Sequence, residues 1–368
     1  MAASAFVLGV WGLLLHSRTL EVDVGVWQGC DGAHCIDGIA PPEMRLVIDS
    51  AFLTTSPLTF PWPRRRALAA LAGSLLVVFA QSGCAVKRIA VNKLGDAIAS
   101  GGTTYASDDD PELVRSAVPF SLKLMESLLE ESPKHRGLLL AACKGFTEYS
   151  FAFVQEDADE IEGTNLAEAT RLRARARRLD LRARDYGLRG LEVRHPGFGK
   201  ALRQNPRATL QRITSAKEVP LLYWTAASWG EAISLSKNNP DLIADQPIVE
   251  ALIDRAYLLT PDFESGAIDS FLITYEPSRQ GAKGDPLARS REHFARAVAL
   301  SHGQLAGPYV SLAETVSVQK QDRAEFTSLL NHALAINPDA RPEWRLENLL
   351  MQRRARWLLA RVDELFVE

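Results

Sequence analysis

Between Arg171 and Arg189 the chain reads RLRARARRLDLRARDYGLR, and few folds can use such a segment. Leu172, Ala176, Leu179, Ala183 and Tyr186 recur at alternating spacings of four and three, the period of one helical face. Ala174, Leu181 and Leu188 make a second, narrower seam, and arginines fill the stripes between. A helix buried along two seams needs a partner on each side, which is the situation inside a stack of helices. A nucleic-acid stripe is the sharper alternative. Against it, the Glu156 to Glu162 run just upstream supplies counter-charges, and a formal net charge of −3 offers polyanions no global attraction. No nucleic-acid partner is expected.

The punctuation of the chain supports a stack. LMESLLEESPKH, GLRGLEVRHPGF, LIDRAYLLTPDF and LLNHALAINPDA each run an apolar helical pattern into a proline, Pro133, Pro196, Pro261 and Pro338. These prolines are 63, 65 and 77 residues apart, the first two intervals close to twice the tetratricopeptide period of about 34. Ala256 with Pro261, and Ala333 with Pro338, take the small and terminal-proline positions of that repeat, while its early Trp and Gly-Tyr are absent. Almost nothing reads as strand. The expected fold is therefore all-α, with stacked antiparallel helix pairs in a degenerate tetratricopeptide-like repeat over 105–368. A content of 46% hydrophobic and 24% charged residues allows it a well-buried core.

Other features read as helix chemistry. Ser107 to Glu112 carries short polar caps, Pro111 and acids that suit a helix N-terminus better than a Ca²⁺ site. Glu156 to Glu162 fails the EF-hand pattern at Ile161 and Glu162. The last helix has one stripe of Trp344, Met351, Ala355, Leu358, Val362 and Leu365 and a second of Leu346, Leu350 and Trp357. Nothing follows to cover that second stripe, so Leu346, Leu350 and Trp357 are candidate oligomer or partner contacts, the alternative being that both stripes pack inside one domain.

No catalytic constellation stands out. The seven histidines lack His-Glu-x-x-His spacing, and neither a Gly-x-Ser-x-Gly elbow nor a loop ending Gly-Lys-Ser/Thr occurs. Cys30, Cys35, Cys84 and Cys143 are too scattered for a disulfide framework or a zinc site. The expectation is no enzyme, no metal and no cofactor. The most informative internal segment is VPLLYWTAASWGEAISLSKNNPDL, residues 219–242. Leu222, Ala226, Trp229 and Ile233 fall on one helical face and read as core. Trp224, Ser228, Glu231 and Leu235 fall on another, which mixes a large aromatic with a hydroxyl and a carboxylate, and Tyr223 can serve either face. Tyr223, Trp224, Ser228 and Glu231 are the candidate ligand or partner site, with an ordinary interhelical contact as the competing reading.

The N-terminal third carries an address. Arg64 to Arg66, the apolar run Ala67 to Ala80, and Ser82-Gly83 before Cys84 are the parts of a lipoprotein-type export signal over 63–83. The apolar run is short for a membrane-spanning helix. Gln81 stands where an aliphatic residue is usual, so lipidation of Cys84 competes with an uncleaved anchor or a conventional signal. Residues 84–104 then read as a tether. Residues 1–62 show no sustained period and read as a start codon assigned too far upstream, or as a genuine early segment with a first helix at Ala2 to Leu15.

YASDDDPELVRSAVPFSLKLMESLLEESPKHRGLLLAACKGFTEYSFAFVQEDADEIE, RARDYGLRGLEVRHPGF, VPLLYWTAASWGEAISLSKNNPDLIADQPIVEALIDRAYLLTPDF and RPEWRLENLLMQRRARWLLARVDELF, in this order, resemble the TatT component of tetratricopeptide-associated TRAP transporters. The likeness runs from about Cys84 to Phe366 and does not include 1–62. It implies a periplasmic lipoprotein of stacked helices, a homotrimer enclosing a pore or cavity. It further implies association with the extracytoplasmic solute-binding protein and help in passing an organic ligand, hydrophobic or carboxylate-bearing, to the permease. Cys84 maps onto the family's lipid-anchor cysteine, and Ala85 after it lacks the inner-membrane retention aspartate, which favours the outer membrane. An envelope scaffold that binds other membrane-assembly proteins is the rival function.

Overall fold

The computed structural model describes residues 90–98 and 104–366. Residues 1–62, the 63–83 signal and Cys84 lie outside the described residues. Among the described residues the regular elements are all helical. The longer ones are α1 (Pro111–Glu131), α2 (Arg136–Tyr149), α3 (Leu166–Glu192), α4 (Val219–Ser234), α5 (Gln246–Leu259), α6 (Ala267–Tyr275), α7 (Pro286–Leu300), α8 (Gly307–Leu312), α9 (Arg323–Ala335) and α10 (Arg345–Ala360). α2 continues without a break through a π-helical stretch, Ser150–Gln155, into Glu156–Ile161.

The breaks fall where local chemistry puts them. The Asp110 carboxylate accepts the backbone N–H groups of Glu112 and Leu113 at 3.0 Å each, with Pro111 at the first helical position. Pro133, Pro196, Pro261 and Pro338 all follow within four residues of a helix end, because a proline cannot donate to the turn before it. Helices adjacent in sequence pack on each other through most of the chain, α1 on α2, α2 on α3, α3 on α4, α4 on α5, then α6 on α7, α8 on α9 and α9 on α10. This is the expected stack of paired helices.

α3 uses two seams, though the second differs from the apolar one expected. Leu172, Ala176, Leu179, Ala183 and Tyr186 join the core built by α1 and α2. Towards α4 the contact is made chiefly by Asp180, Gly187, Gly190 and Leu191, all buried, while Ala174 and Leu181 are half-buried and only Leu188 of the expected seam reaches that core. The glycines let the two helices approach closely. A Cβ on Gly187 would lie 2.1 Å from Thr225 Oγ1 and 3.0 Å from Cys143 Sγ, and one on Gly190 would lie 2.6 Å from Leu221 Cδ2. Within the expected tether, 90–98 is helical and docked: Ser132 Oγ meets Asn92 Oδ1 at 2.7 Å, and Val91 and Ile98 pack on the first core.

The end of the stack returns to its beginning. Leu346 N donates to Ala106 O at 3.0 Å, Arg345 Nη1 donates to Ser107 O at 2.8 Å, and Leu346 and Leu350 pack into the core of α1 and α2. One turn further on, Arg353 Nη2 donates to Asp157 (3.1 Å) and Glu160 (2.6 Å). Arg354 Nη1 donates to Glu156 (3.2 Å) and Asp159 (2.9 Å), and its Nη2 to Glu314 (2.6 Å). Arg115 pairs with Asp157, and Arg173 reaches Asp159 at 2.8 Å and Glu162 at 2.7 Å. The acidic run thus does take charge from the arginine-rich helix, but its larger debt is to α10. Part of the second stripe of α10, Leu346 and Leu350, meets the chain's own first core. Trp357 packs in the C-terminal core with Arg354 and Arg361 at 4.5 and 4.6 Å from its ring.

Two substitutions test this packing. Gly187→Ala should lower unfolding free energy by about 1–3 kcal/mol, the usual cost of forcing a methyl group into a filled contact, whereas an unchanged urea midpoint would contradict the close α3–α4 approach. Arg354→Ala leaves Glu156 buried without its partner and should cost about 3–5 kcal/mol in the same measurement.

Candidate functional site

α4 begins at Val219 with Pro220 in its first turn and runs almost wholly buried to Trp229. Leu222, Ala226 and Trp229 are fully buried as expected, with Arg184 and Arg203 at 5.0 and 5.7 Å from the Trp229 ring. The opposite face divides. Ser228 is also fully buried and donates its hydroxyl proton to Thr225 O at 3.1 Å, so it belongs to the packed contact with α2 and α3. Tyr223 and Trp224 are buried members of the same core, 8% and 9% exposed and edge to face at 5.0 Å, and Glu231 is part-exposed near the other end of the helix. The structure therefore keeps Tyr223 and Trp224 together, holds Glu231 a turn or two away, and removes Ser228.

Other elements complete the site around these aromatics. Lys144 from α2 lies over the Trp224 ring at 5.0 Å, and Phe263 lies 5.3 Å from the Tyr223 ring. Glu148, one turn after Lys144, approaches its ammonium at 3.6 Å, and Glu264 approaches it at 3.8 Å. Glu264 sits in the link between α5 and α6, where Glu264 (φ 42°), Ser265 (φ 55°) and Gly266 (φ 99°) are all left-handed. Two of those are not glycine, a conformation that costs energy and persists only where the surroundings hold it. Gly266 has no choice, since a Cβ there would lie 3.1 Å from Ala297 Cα.

Desolvation and mutual charge act on the acidic groups of this cluster. The side chains of Glu148 and Glu264 keep 52% and 42% of their accessibility, yet burial raises the Glu148 carboxyl above its ordinary value, against the opposing pull of Lys144. Glu347, exposed on α10, is pushed up to about 7 by burial and then by the charge of Glu148. Glu231 is pushed up to about 7 by burial as well, only partly offset by Ser234. The Tyr223 phenol is raised first by burial and then by Glu264, Glu347, Glu148 and Glu231. For Lys144, burial works against the charged form, and Glu148 and Glu264 outweigh it, so the ammonium stays charged. Carboxylates from α2, α4, α10 and the α5–α6 link thus act on one aromatic pair.

Lys144, Glu148, Glu264 and Glu347 escape a sequence reading. Lys144 and Glu148 look like an ordinary i, i+4 surface pair, and Glu264 and Glu347 reach the site only because the stack bends back on itself. Among the described residues no group of three His, Cys, Asp or Glu is arranged to hold a metal ion, and no helix is long and apolar enough to cross a membrane.

With this geometry in hand, comparison with known proteins is decisive about the family. Residues 107–366 match the TRAP transporter T-component family. The chain belongs to that family. Its helical stack, from the α1 cap to the last residue of the C-terminal core, falls within the matched region. An uncharacterized protein of Treponema pallidum (strain Nichols) is 28% identical over 309 residues, 78% of this chain and 94% of that protein. The T-component is a part of a TRAP transport system.

The raised carboxyls make stability depend on pH. Glu156, Glu231 and Glu347 each move from an ordinary 4.5 to about 7, in every case chiefly through burial. A carboxyl with a raised folded pKa takes up a proton on folding, so its contribution favours the folded state near pH 5 and is lost as pH rises through about 7. Asp157, where burial is outweighed by Arg115 and Arg353, is lowered and acts below this window. The midpoint of thermal unfolding should fall between pH 5 and 7.5, and Glu231→Gln should flatten the slope. A midpoint that rises over that range would contradict the desolvated carboxyls.

Proposed function

We propose that this TRAP transporter T-component is a periplasmic accessory subunit that associates with the extracytoplasmic solute-binding protein and helps move its ligand towards the membrane permease. Family membership carries the reading, since it assigns the chain to a TRAP system. The cluster around Trp224 has a fitting composition. Trp224 and Tyr223 offer rigid apolar contact area, and the flanking charges offer orientation, which is the usual composition of a small-molecule site. The proposal includes a lipid anchor on Cys84, in the outer membrane, after export by the 63–83 signal. It also includes assembly as a homotrimer, with the remaining exposed part of the α10 surface near Trp357 as a candidate contact.

The test is purification of a C-terminally tagged, chromosomally expressed copy in mild detergent, with its companions identified by mass spectrometry. A periplasmic solute-binding protein should come with it in near-equal amount. Recovery of membrane-assembly proteins in its place would favour a scaffold and sink the transport partnership. Cys84→Ser should shift the protein from the membrane fraction to the soluble periplasm, and unchanged membrane association would mean an uncleaved anchor.

A further inference from the structure

We propose that the basic groove between α1 and α3 lies against the membrane surface and takes the phosphate of an anionic phospholipid headgroup. The inference rests on the reading of Cys84 as a lipid anchor and adds which face of the body that anchor holds to the bilayer.

The first support is the groove itself, about 440 Å³ between the C-terminal half of α1 and the later turns of α3. Two guanidiniums on its α3 side are fixed on aromatic rings. Arg189 lies 5.3 Å from the Tyr186 ring and Arg182 lies 5.4 Å from the Phe146 ring, and those two rings are stacked at 5.9 Å. Arg189 Nη2 donates to Pro133 O at 3.3 Å, and no carboxylate pairs with this guanidinium among the described residues. Glu126, its side chain 13% accessible, answers Lys123 at 2.5 Å and Arg182 at 3.4 Å and accepts the Tyr186 hydroxyl proton at 2.7 Å. Lys123, Arg182 and Arg189 thus stand against Glu126 and the exposed Glu130. A guanidinium fork already held in place loses little freedom when it meets a phosphate.

The second support is where the groove ends. Pro133, which lines it, sits in the link between α1 and α2, and the helical segment 90–98 docks on that same link. Ser132 Oγ meets Asn92 Oδ1 at 2.7 Å, and His135 Nε2 meets Asn92 O at 3.2 Å. Cys84 stands six residues before Ala90, a span of about 20 Å at most. A lipid on Cys84 therefore keeps this end of the stack near the bilayer. The charge of this end agrees with that placement. Lys134 in the link and Arg178, one turn before Arg182, are exposed and have no carboxylate partner among the described residues. With Lys123, Arg182 and Arg189 they outnumber Glu126, Glu130 and Glu131, on a chain whose overall formal charge is −3. Asp185, on the same side of α3, is held by Arg184 at 2.8 Å. Each basic side chain within a Debye length of an anionic surface adds attraction. Contact of this strength orients a tethered body and does not retain a free one, so the Cys84→Ser protein still leaves the membrane fraction on washing.

The experiment is co-sedimentation of the full chain carrying Cys84→Ser with two kinds of vesicle, phosphatidylcholine alone and phosphatidylcholine mixed equally with phosphatidylglycerol. Insertion of an apolar stretch of the chain would appear equally on both, so the difference between them reads charge. The anionic vesicles should bind the protein roughly tenfold more tightly or better, and salt at about 0.5 M should erase the difference. Arg182→Gln combined with Arg189→Gln should cut the preference about tenfold, whereas Lys320→Gln, at an exposed position elsewhere, should leave it unchanged. Circular dichroism melting of each variant separates a lost surface from a lost fold. Equal binding to both vesicles, binding to neither, or a preference that the arginine pair does not change in a normally melting protein would overturn the proposal. Saturable binding of inorganic phosphate at micromolar concentration, removed by the same pair, would assign the groove to a free anion and overturn it too. If the pair spares the vesicle preference and strips the companion protein from the tagged capture, this face is a protein interface. The vesicle assay needs no partner protein, and fractionation of Cys84→Ser reports on the anchor separately, so failure of the inference and failure of the reading beneath it are told apart.

Discussion

The closure of the stack hangs on Arg354. Its guanidinium is nearly buried among Glu156, Asp159 and Glu314, groups that belong to two separate stretches of helix. A helical repeat is ordinarily held by neighbours alone, each unit touching only the next. Here a charged side chain near the C-terminus is desolvated against carboxylates almost two hundred residues earlier in the chain. Such an ion pair adds little net stability over an apolar replacement, and it does exclude every arrangement that leaves either partner alone. Leu346 and Leu350 supply the apolar part of the same contact. Glu347, one residue after Leu346, is thereby carried to the wall that Lys144 and Trp224 occupy.

The cluster around Lys144 and Trp224 is a consequence of that closure. Each of its carboxylates alone is an unremarked surface glutamate on an amphipathic helix or link. Brought within reach of one another around Tyr223, they share little water and few counter-charges, and the proton affinities of Glu148, Glu231 and Glu347 rise. The left-handed backbone at Glu264 and Ser265 is part of the same expense, since it aims a carboxylate at Lys144 from a link that would otherwise turn away. Site and fold are in this sense one construction, built from the same few long-range contacts.

What could be read from the sequence follows from the range of each interaction. Caps and terminal prolines are local, and the structure has Asp110, Pro133, Pro196, Pro261 and Pro338 at helix boundaries as their chemistry dictates. The core face of α4 and the main seam of α3 obey helical period and were equally readable. The second seam of α3 was not, because close packing through Gly187 and Gly190 carries no hydrophobic signature. Ser228 shares a helical face with Trp224 and both are interior, because small neighbours let α2, α3 and α4 meet there. Lys144, Glu264 and Glu347 were beyond any window of sequence, since only the return of α10 makes them neighbours.

The contact of α10 with the first helices also has a bearing on how the protein comes into being. Local helix pairs can form as soon as they emerge, but the seam of Arg353 and Arg354 with Glu156 to Glu160 waits for nearly the last residues of the chain. Contacts of such large sequence separation are slow to form, because the loop they close is long. Until then the α1–α2 core lacks Leu346 and Leu350, and the acidic run lacks its buried arginine. Completion of this fold therefore waits for α10, however early its first helix pairs form.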